Sequence, residues 1–153
     1  MIITQKMLEN IDTLDKIYYD LGSGLGKSLI YGIIDHKFKH AYGIELSKER
    51  QNLAQNTLNH FDREEQNKIT YLNGDILDEQ YNYKDADIVF ISNLLFAREI
   101  NHKIATKLNN ELKPNVIILS SSTLSAPRLK LRTKMEMKMT WSNDSSLSVY
   151  DVI

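Results

Sequence analysis

Apolar positions along the chain switch between a strand period and a helix period, and the switches lay out its organisation. KIYYDLG at 16–22 is a short apolar run closed by glycine, which predicts a first buried strand. Leu25, Leu29, Ile30, Ile33 and Ile34 then recur at three- and four-residue spacing, predicting a helix from Gly24 to about Asp35. HAYGIEL at 40–46 is a second strand. Ser47 is placed to cap a helix running to about Phe61, with Glu49 in its first turn and Leu53, Asn56 and Leu58 inside it. ITYLN at 69–73, DIVFIS at 87–92 and VIILSS at 116–121 predict three further strands. A helix over about 97–112 puts Ile100, Ile104 and Leu108 on one face, with Pro114 beyond its end. Met7, Leu8 and Ile11 suggest a short helix over 4–12.

After Pro127 the pattern changes. Leu129, Leu131, Thr133, Met135, Met137, Met139 and Trp141 alternate with Arg128, Lys130, Arg132, Lys134, Glu136 and Lys138. Period two over that length predicts a strand with one buried face and one wet, charged face. SNDS at 142–145 has turn chemistry, and SLSVYDVI at 146–153 predicts a final strand. Strands alternating with helices and closing on an antiparallel hairpin imply an α/β fold: a seven-stranded, mostly parallel sheet with helices on both faces.

Composition narrows the class. The 153 residues suit one domain, expected over 1–153, and 42% hydrophobic with 25% charged is the balance of a folded globule. With no cysteine, disulfides, thiolate metal sites and thiol catalysis are excluded, and a reducing, intracellular setting is expected. No apolar run approaches the roughly 20 residues of a membrane span, and the first residues, MIITQKMLEN, lack a secretory h-region. The net charge of −1 hides an asymmetry, because residues 126–141 carry a net +4. That band offers two readings: a solubilising edge strand, or a surface for DNA or acidic protein through Arg128, Lys130, Arg132 and Lys134. His36, His40, His60 and His102 have no metal-ligand spacing; surface histidines and no metal site are expected.

The candidate chemistry begins at DLGSGLG, 20–26, between the first strand and a helix. Glycines there permit a tight turn and close approach of backbone to a ligand. The spacing G-x-G-x-G departs from the dinucleotide G-x-G-x-x-G, and the Walker phosphate loop is absent. Glu45 ends the second strand, where a carboxylate can accept both hydroxyls of a ribose, and Asp75 in the NGD turn can accept from an adenine amine. Each acid alone is more often a strand-end group facing water. Jointly they occupy the carboxyl ends of three successive strands, where an open α/β sheet places its ligand.

This constellation resembles the class I S-adenosylmethionine-dependent methyltransferases. A narrower resemblance rests on KIYYDLGSGLGKS, YGIELSKER, NGDILDE, VFISNLLFAREIN, ELKPNVIILSS and MTW…VYDVI, in that order. These are similar to the catalytic core of the disruptor-of-telomeric-silencing family, the non-SET histone lysine methyltransferases. The resemblance implies S-adenosylmethionine as cofactor, held by Asp20, Gly22, Ser23, Gly24, Gly26, Glu45, Leu46, Asp75, Ile76 and Ser92. It implies a protein lysine as substrate, on a histone, a nucleosome or another nucleic-acid-associated protein, and a cytoplasmic or nuclear location. The family turn Asn-Asn-aromatic-x-Phe reads Ser92-Asn93-Leu94-Leu95-Phe96 here, so Ser92 stands where the family has its first Asn. The family ending Ser-Trp-Thr then Tyr-Tyr reads Thr140-Trp141-Ser142 then Val149-Tyr150. The family's N-terminal helical subdomain has no counterpart ahead of the first strand in these residues.

Methyl transfer to an amine needs positioning and a neutral nitrogen, which an aromatic channel promotes by desolvation. Ser92, Asn93, Phe96 and Tyr150 are the expected acceptor-site residues, with Trp141 in support; core packing is the competing reading of the three aromatics. Two other functions stay open. One is an RNA, DNA or small-molecule methyltransferase on the same fold, although Ser92-Asn93-Leu94-Leu95 lacks the prolines common in base-modifying enzymes. The other is a non-catalytic domain that binds cofactor or a partner.

Overall fold

A computed structural model describes residues 3–139 and 142–153 of the chain. The elements in order are α1 (Ile3–Leu8), β1 (Ile17–Leu21), α2 (Lys27–His36), β2 (His40–Glu45), α3 (Lys48–Leu58), α4 (Arg63–Asn67), β3 (Ile69–Asn73), β4 (Ile88–Ile91), α5 (Arg98–Glu111), β5 (Ile117–Ser120), β6 (Leu129–Met139) and β7 (Ser142–Val152). The strands form one seven-stranded sheet in the order β3-β2-β1-β4-β5-β7-β6. β1 to β5 pair in parallel, and β7 runs antiparallel to both β5 and β6. The strand order reverses between β1 and β4, so a crevice opens beyond the carboxyl ends of these two strands.

The central strand shows why both faces are covered. Tyr18 points to one face, with Leu29, Ile30 and Ile33 of α2 and Ala54 and Leu58 of α3. Tyr19 points to the other, with Ile104, Ala105 and Leu108 of α5. Each Leu and Ile among them contributes about 1.5–3 kcal/mol on burial. A strand buried on both sides needs no polar alternation, and β1 has none. Lys37, in the left-handed region at φ 53°, ends α2 and turns Phe38 back to stack on Tyr18 at 4.8 Å.

The helices are shorter than their apolar periods predict. α2 starts at Lys27 because Gly22, Gly24 and Gly26 all adopt positive φ and hold the preceding turn out of helix. Leu25 is therefore exposed; Ile34 of α2 and Leu53 of α3 also face solvent, while Gln51, Ala54 and Leu58 face the sheet. The predicted helix over 47–61 ends at Leu58, and a separate α4 follows. That helix opens on a capping box, with the Asp62 N–H donating to Glu65 Oε2 at 2.9 Å.

The hairpin departs most from expectation. Ser142 to Ser145, read as a turn, lie in β7, with Met137 opposite Ser145 and Met139 opposite Ser142. Thr140 and Trp141 lie outside the described residues. The predicted single buried face of β6 is also corrected. Register shifts between Leu131 and Thr133, so the alternation slips by one residue. Leu129 accordingly packs with Val152 on the α5 face, whereas Met135 packs with Leu147 on the α2 face. Leu131 is left 46% exposed.

Two cations of the basic band are engaged within the chain. Arg128 Nη1 donates to the carbonyls of Asn109 (2.6 Å) and Leu112 (3.0 Å), and its Nε to that of Ile153 (2.8 Å). It thereby satisfies carbonyls left over at the end of α5. Arg132 forms a two-pronged pair with Asp151, its Nε donating to Oδ2 at 2.9 Å. We expect Arg128→Ala to lower the unfolding free energy by about 1–2 kcal/mol. Lys130→Ala, at an exposed position, should change it by less than about 0.5 kcal/mol. Urea denaturation with an unchanged slope is the measurement.

Candidate cofactor and acceptor site

At the crevice, the turn after β1 folds back over β2. The Gly22 and Ser23 N–H groups both donate to the Ile44 carbonyl, at 2.8 and 3.0 Å. Gly22 sits at φ 87° and Gly26 at φ 72°, backbone states that an L side chain rarely adopts. Gly26 is buried, and a Cβ there would collide with the Tyr71 ring, whose hydroxyl donates to the Gly26 carbonyl at 3.0 Å. Ser23 is also buried, its hydroxyl directed at Gly43. Ser23 and Gly26 therefore shape the turn from beneath, while Gly22 lines the cleft above it.

Glu45 is 7% exposed at the end of β2. Its Oε2 accepts the Gly24 N–H and its Oε1 the Ser47 N–H, both at 2.8 Å. One carboxylate thus joins the turn after β1 to the start of α3 and keeps lone pairs for a ligand. The Ser47 hydroxyl caps α3 by accepting the Arg50 N–H at 3.3 Å, as its position predicts. Asp75 is exposed and accepts the Leu77 N–H at 2.9 Å, which closes the turn after β3.

These elements enclose a cleft of about 600 Å³. It is lined by Gly22, Glu45, Leu46, Asp75, Ile76, Ser92 and Phe96, together with Arg50, Gly74, Leu77, Ala97 and Ile100. Seven residues singled out from the sequence therefore meet in one cavity, though they come from four different strand ends. Arg50, Leu77, Ala97 and Ile100 were not expected there. Their signal was available only indirectly: each lies within a few residues of Glu45, Asp75 or Phe96, Arg50 and Ile100 in the first turns of the helices that follow.

Two expected acceptor-site residues lie elsewhere. Asn93 is fully buried. Its Oδ1 accepts from the Ser120 hydroxyl (2.8 Å), the Ser121 hydroxyl (3.4 Å) and the Ser122 N–H (3.0 Å). Its Nδ2 donates to Asn101 Oδ1 at 2.6 Å. Asn93 thus ties the turn after β4 to the end of β5 and to α5, with its side chain turned away from the cleft. Tyr150 is 2% exposed in the core on the α5 face, and its hydroxyl accepts the Leu124 N–H at 2.9 Å. It anchors the segment after β5, so core packing is the reading that holds for this tyrosine. Ser92 and Phe96 do reach the cleft, both half-buried. Leu94 and Leu95 between them are exposed.

Asp20 ends up beneath the turn, 3% exposed, at the carboxyl end of the central strand. The Ser28 hydroxyl donates to Oδ2, while Oδ1 has no partner among the described residues. Burial pushes its carboxyl from 3.8 up to about 7; the Ser28 hydroxyl pulls the other way, and the nearby Glu45 charge adds to the rise. Of the histidines, His60 and His102 are exposed, while His36 and His40 are half-buried.

Comparison with known proteins gives a consistent assignment. The sequence model of a family described as "Histone methylation protein DOT1" matches residues 2–151. A histone-lysine N-methyltransferase of Caenorhabditis elegans, H3 lysine-79 specific, is 26% identical over 140 residues. That match takes in 83% of this chain but 15% of the relative, so the chain spans a small part of the relative's length. Among solved structures, an RNA methyltransferase from Salinibacter ruber in complex with S-adenosyl-L-homocysteine is similar at TM-score 0.79 and 18% identity, over 98% of this chain and 90% of that one. A geranyl diphosphate C-methyltransferase from Streptomyces coelicolor is similar at TM-score 0.76 and 9% identity, over 98% and 78%. At such identities the likeness establishes a class I methyltransferase fold, and the acceptors of these proteins differ widely.

The state of Asp20 makes a pH-dependent prediction. Its carboxyl holds a proton in the folded chain that the unfolded chain releases above pH 3.8. The fold then binds more protons than the unfolded state across that window. The resulting stability is complete below about pH 4 and is lost as the pH rises through about 7. Asp20→Asn should flatten this slope, read from urea unfolding at about pH 5 and about pH 8. An equal fall in both proteins would assign the slope to other groups.

Proposed function

We propose, from the premise that the chain belongs to the DOT1 histone methylation family, that it is an S-adenosylmethionine-dependent protein lysine N-methyltransferase. The observation that carries the reading is the single cleft in which Gly22, Glu45, Asp75, Ser92 and Phe96 converge at the switch point of the sheet. Residues 1–153 act in this reading as one catalytic domain, on a histone or another nucleic-acid-associated protein, at chromatin. Among the described residues no helix is long and apolar enough to cross a membrane.

The residues present fit the cofactor. Glu45 offers free lone pairs beside two engaged ones, suited to the paired hydroxyls of a ribose. Asp75 opens to the cleft between Gly74 and Ile76, where an adenine amine would find an acceptor. Leu46 and Ile76 supply apolar walls for the purine faces. Asp20 keeps a buried, unpartnered oxygen under the glycine turn, an acceptor for an ammonium group. When bound, S-adenosylmethionine supplies an electrophilic sulfonium methyl group.

On the acceptor side Phe96 presents a half-buried aromatic wall next to Ser92. An entering lysine loses water against that wall, which lowers its pKa and yields the neutral amine that can attack. The face of Phe96 also suits a cationic methyl group. Ser92 can donate or accept one hydrogen bond where the family has the longer Asn. Asn93 contributes indirectly, by holding the backbone of Ser92 and Leu94 between β4 and β5. Contact with nucleosomal DNA in this reading falls to Lys130 and Lys134, since Arg128 and Arg132 have internal partners.

The decisive assay is radiolabelled S-adenosylmethionine offered to nucleosomes, free histones and nucleic acid. Label on a histone lysine is expected; label only on nucleic acid would replace this reading with base or ribose methylation. Glu45→Ala should weaken cofactor binding by about 1.5–3 kcal/mol in calorimetry. Phe96→Ala should lower turnover while cofactor affinity stays within a few-fold. A folded Phe96→Ala variant with wild-type turnover would remove that residue from the acceptor site.

A further inference from the structure

Between β3 and β4 the chain makes no helix, yet this stretch, 74–87, carries the Asp75–Leu77 wall of the cleft. Something else must fix it. The fastening begins on α5, at Lys107 and Glu111, which do not line the cleft. Lys107 Nζ pairs with Glu111 Oε1 at 2.5 Å, with side-chain exposures of 12% and 20%. Lys107 Nζ also donates to the Tyr81 carbonyl at 2.7 Å and lies 5.2 Å from the centre of the Tyr83 ring. Glu111 Oε2 accepts the Tyr83 N–H at 3.1 Å.

From there the two tyrosines reach the wall. The Tyr83 hydroxyl donates to the Ile76 carbonyl at 2.7 Å, and the Tyr81 hydroxyl to the Asn73 carbonyl at 3.0 Å. Gly74 lies directly under Tyr81, where a Cβ would collide with its ring. An unbroken set of hydrogen bonds thus runs from α5 to the backbone on both sides of Asp75.

The pair is not explained by the helix that bears it. Lys before Glu at i, i+4 is the weaker order for an isolated helix, and a carboxylate on the last residue of α5 opposes the helix dipole. Breaking a pair this well shielded leaves an uncompensated charge and an unmet Tyr83 N–H. Its partners all lie in the wall segment.

We infer that Lys107 and Glu111 are positioning residues for the cofactor cleft, which clamp the Asp75–Leu77 wall from behind without touching a ligand. The inference rests on the reading of that cleft as the S-adenosylmethionine site. It assigns the clamp to cofactor affinity and leaves the acceptor side, built on β4 and β5, unaffected.

The test is calorimetric titration of the full chain with S-adenosylhomocysteine. Lys107→Met should weaken binding about tenfold, the worth of one hydrogen bond to a charged group. Lys107→Arg, which keeps the charge and the donors, should recover most of it. In the methylation assay KM for S-adenosylmethionine should rise with kcat held within about twofold, a split that mere loss of stability would not produce. If Lys107→Met fails to fold, Tyr83→Phe decides, because it deletes only the hydroxyl that holds the Ile76 carbonyl; a several-fold loss of affinity is then expected. Wild-type affinity in either folded variant overturns the clamp while leaving the cofactor site intact. Failure of the wild-type chain to bind S-adenosylhomocysteine overturns both.

Discussion

The carboxylate of Glu45 joins two structures that meet at the crevice. Its two oxygens take the Gly24 and Ser47 N–H groups, so the turn after β1 and the start of α3 meet on one side chain. Without that acceptor, two part-buried backbone donors would lose their partner in the chain. The constraint propagates outward. Because the turn is drawn onto β2, it must bend through three positive-φ glycines, and α2 can begin only at Lys27. Because α3 starts directly after Glu45, Leu46 is left on the surface as an apolar wall of the cleft. A residue expected as a ligand contact is therefore also a structural tie for the cleft, holding its turn and its helix start on one side chain.

What was legible in the sequence follows from the range of the interactions involved. The strands and the mostly parallel class of their sheet could be read because apolar runs and glycine turns are local signals, and alternation of strands with helices admits few topologies. The cleft side chains at strand ends were legible for the same reason: position along a strand fixes position in the sheet. Asn93 and Tyr150 were misplaced because their partners are 27 and 26 residues away, on Ser120 and Leu124. The slip in β6 was hidden because an alternating sequence continues unchanged through a bulge, and only the pairing with β7 reveals it. The box Asp62-x-x-Glu65 that opens α4, by contrast, was a local signal available to be read.

The two sides of the site are built differently. The cofactor side depends on loops: the glycine turn held by Glu45 and the Asp75 turn held through Tyr81 and Tyr83. The side formed by Ser92 and Phe96 depends on a cluster of buried Asn93, Ser120 and Ser121 with half-buried Asn101, which fixes the turn after β4. Such a cluster is costly to leave half-satisfied, so it tolerates little change. The cleft-facing position next to it carries no such load, since Ser92 lines the cavity from outside the cluster.

This division accounts for the form in which the family motif survives. In Ser92-Asn93-Leu94-Leu95-Phe96 the retained Asn is the buried one that binds β4 to β5, and the retained Phe has its carbonyl held by Asn101 at 3.3 Å. The replaced position is the one whose side chain is free to change without unmaking the turn. A motif can thus be kept for architecture and varied for chemistry within five residues. Position 92 is thus free to vary on a backbone that its neighbours hold still. In the proposed reading, serine there carries its polar atom one bond closer to the backbone than asparagine would and leaves more of the cavity to Phe96 and Ile100, which weights recognition of an amine towards desolvation.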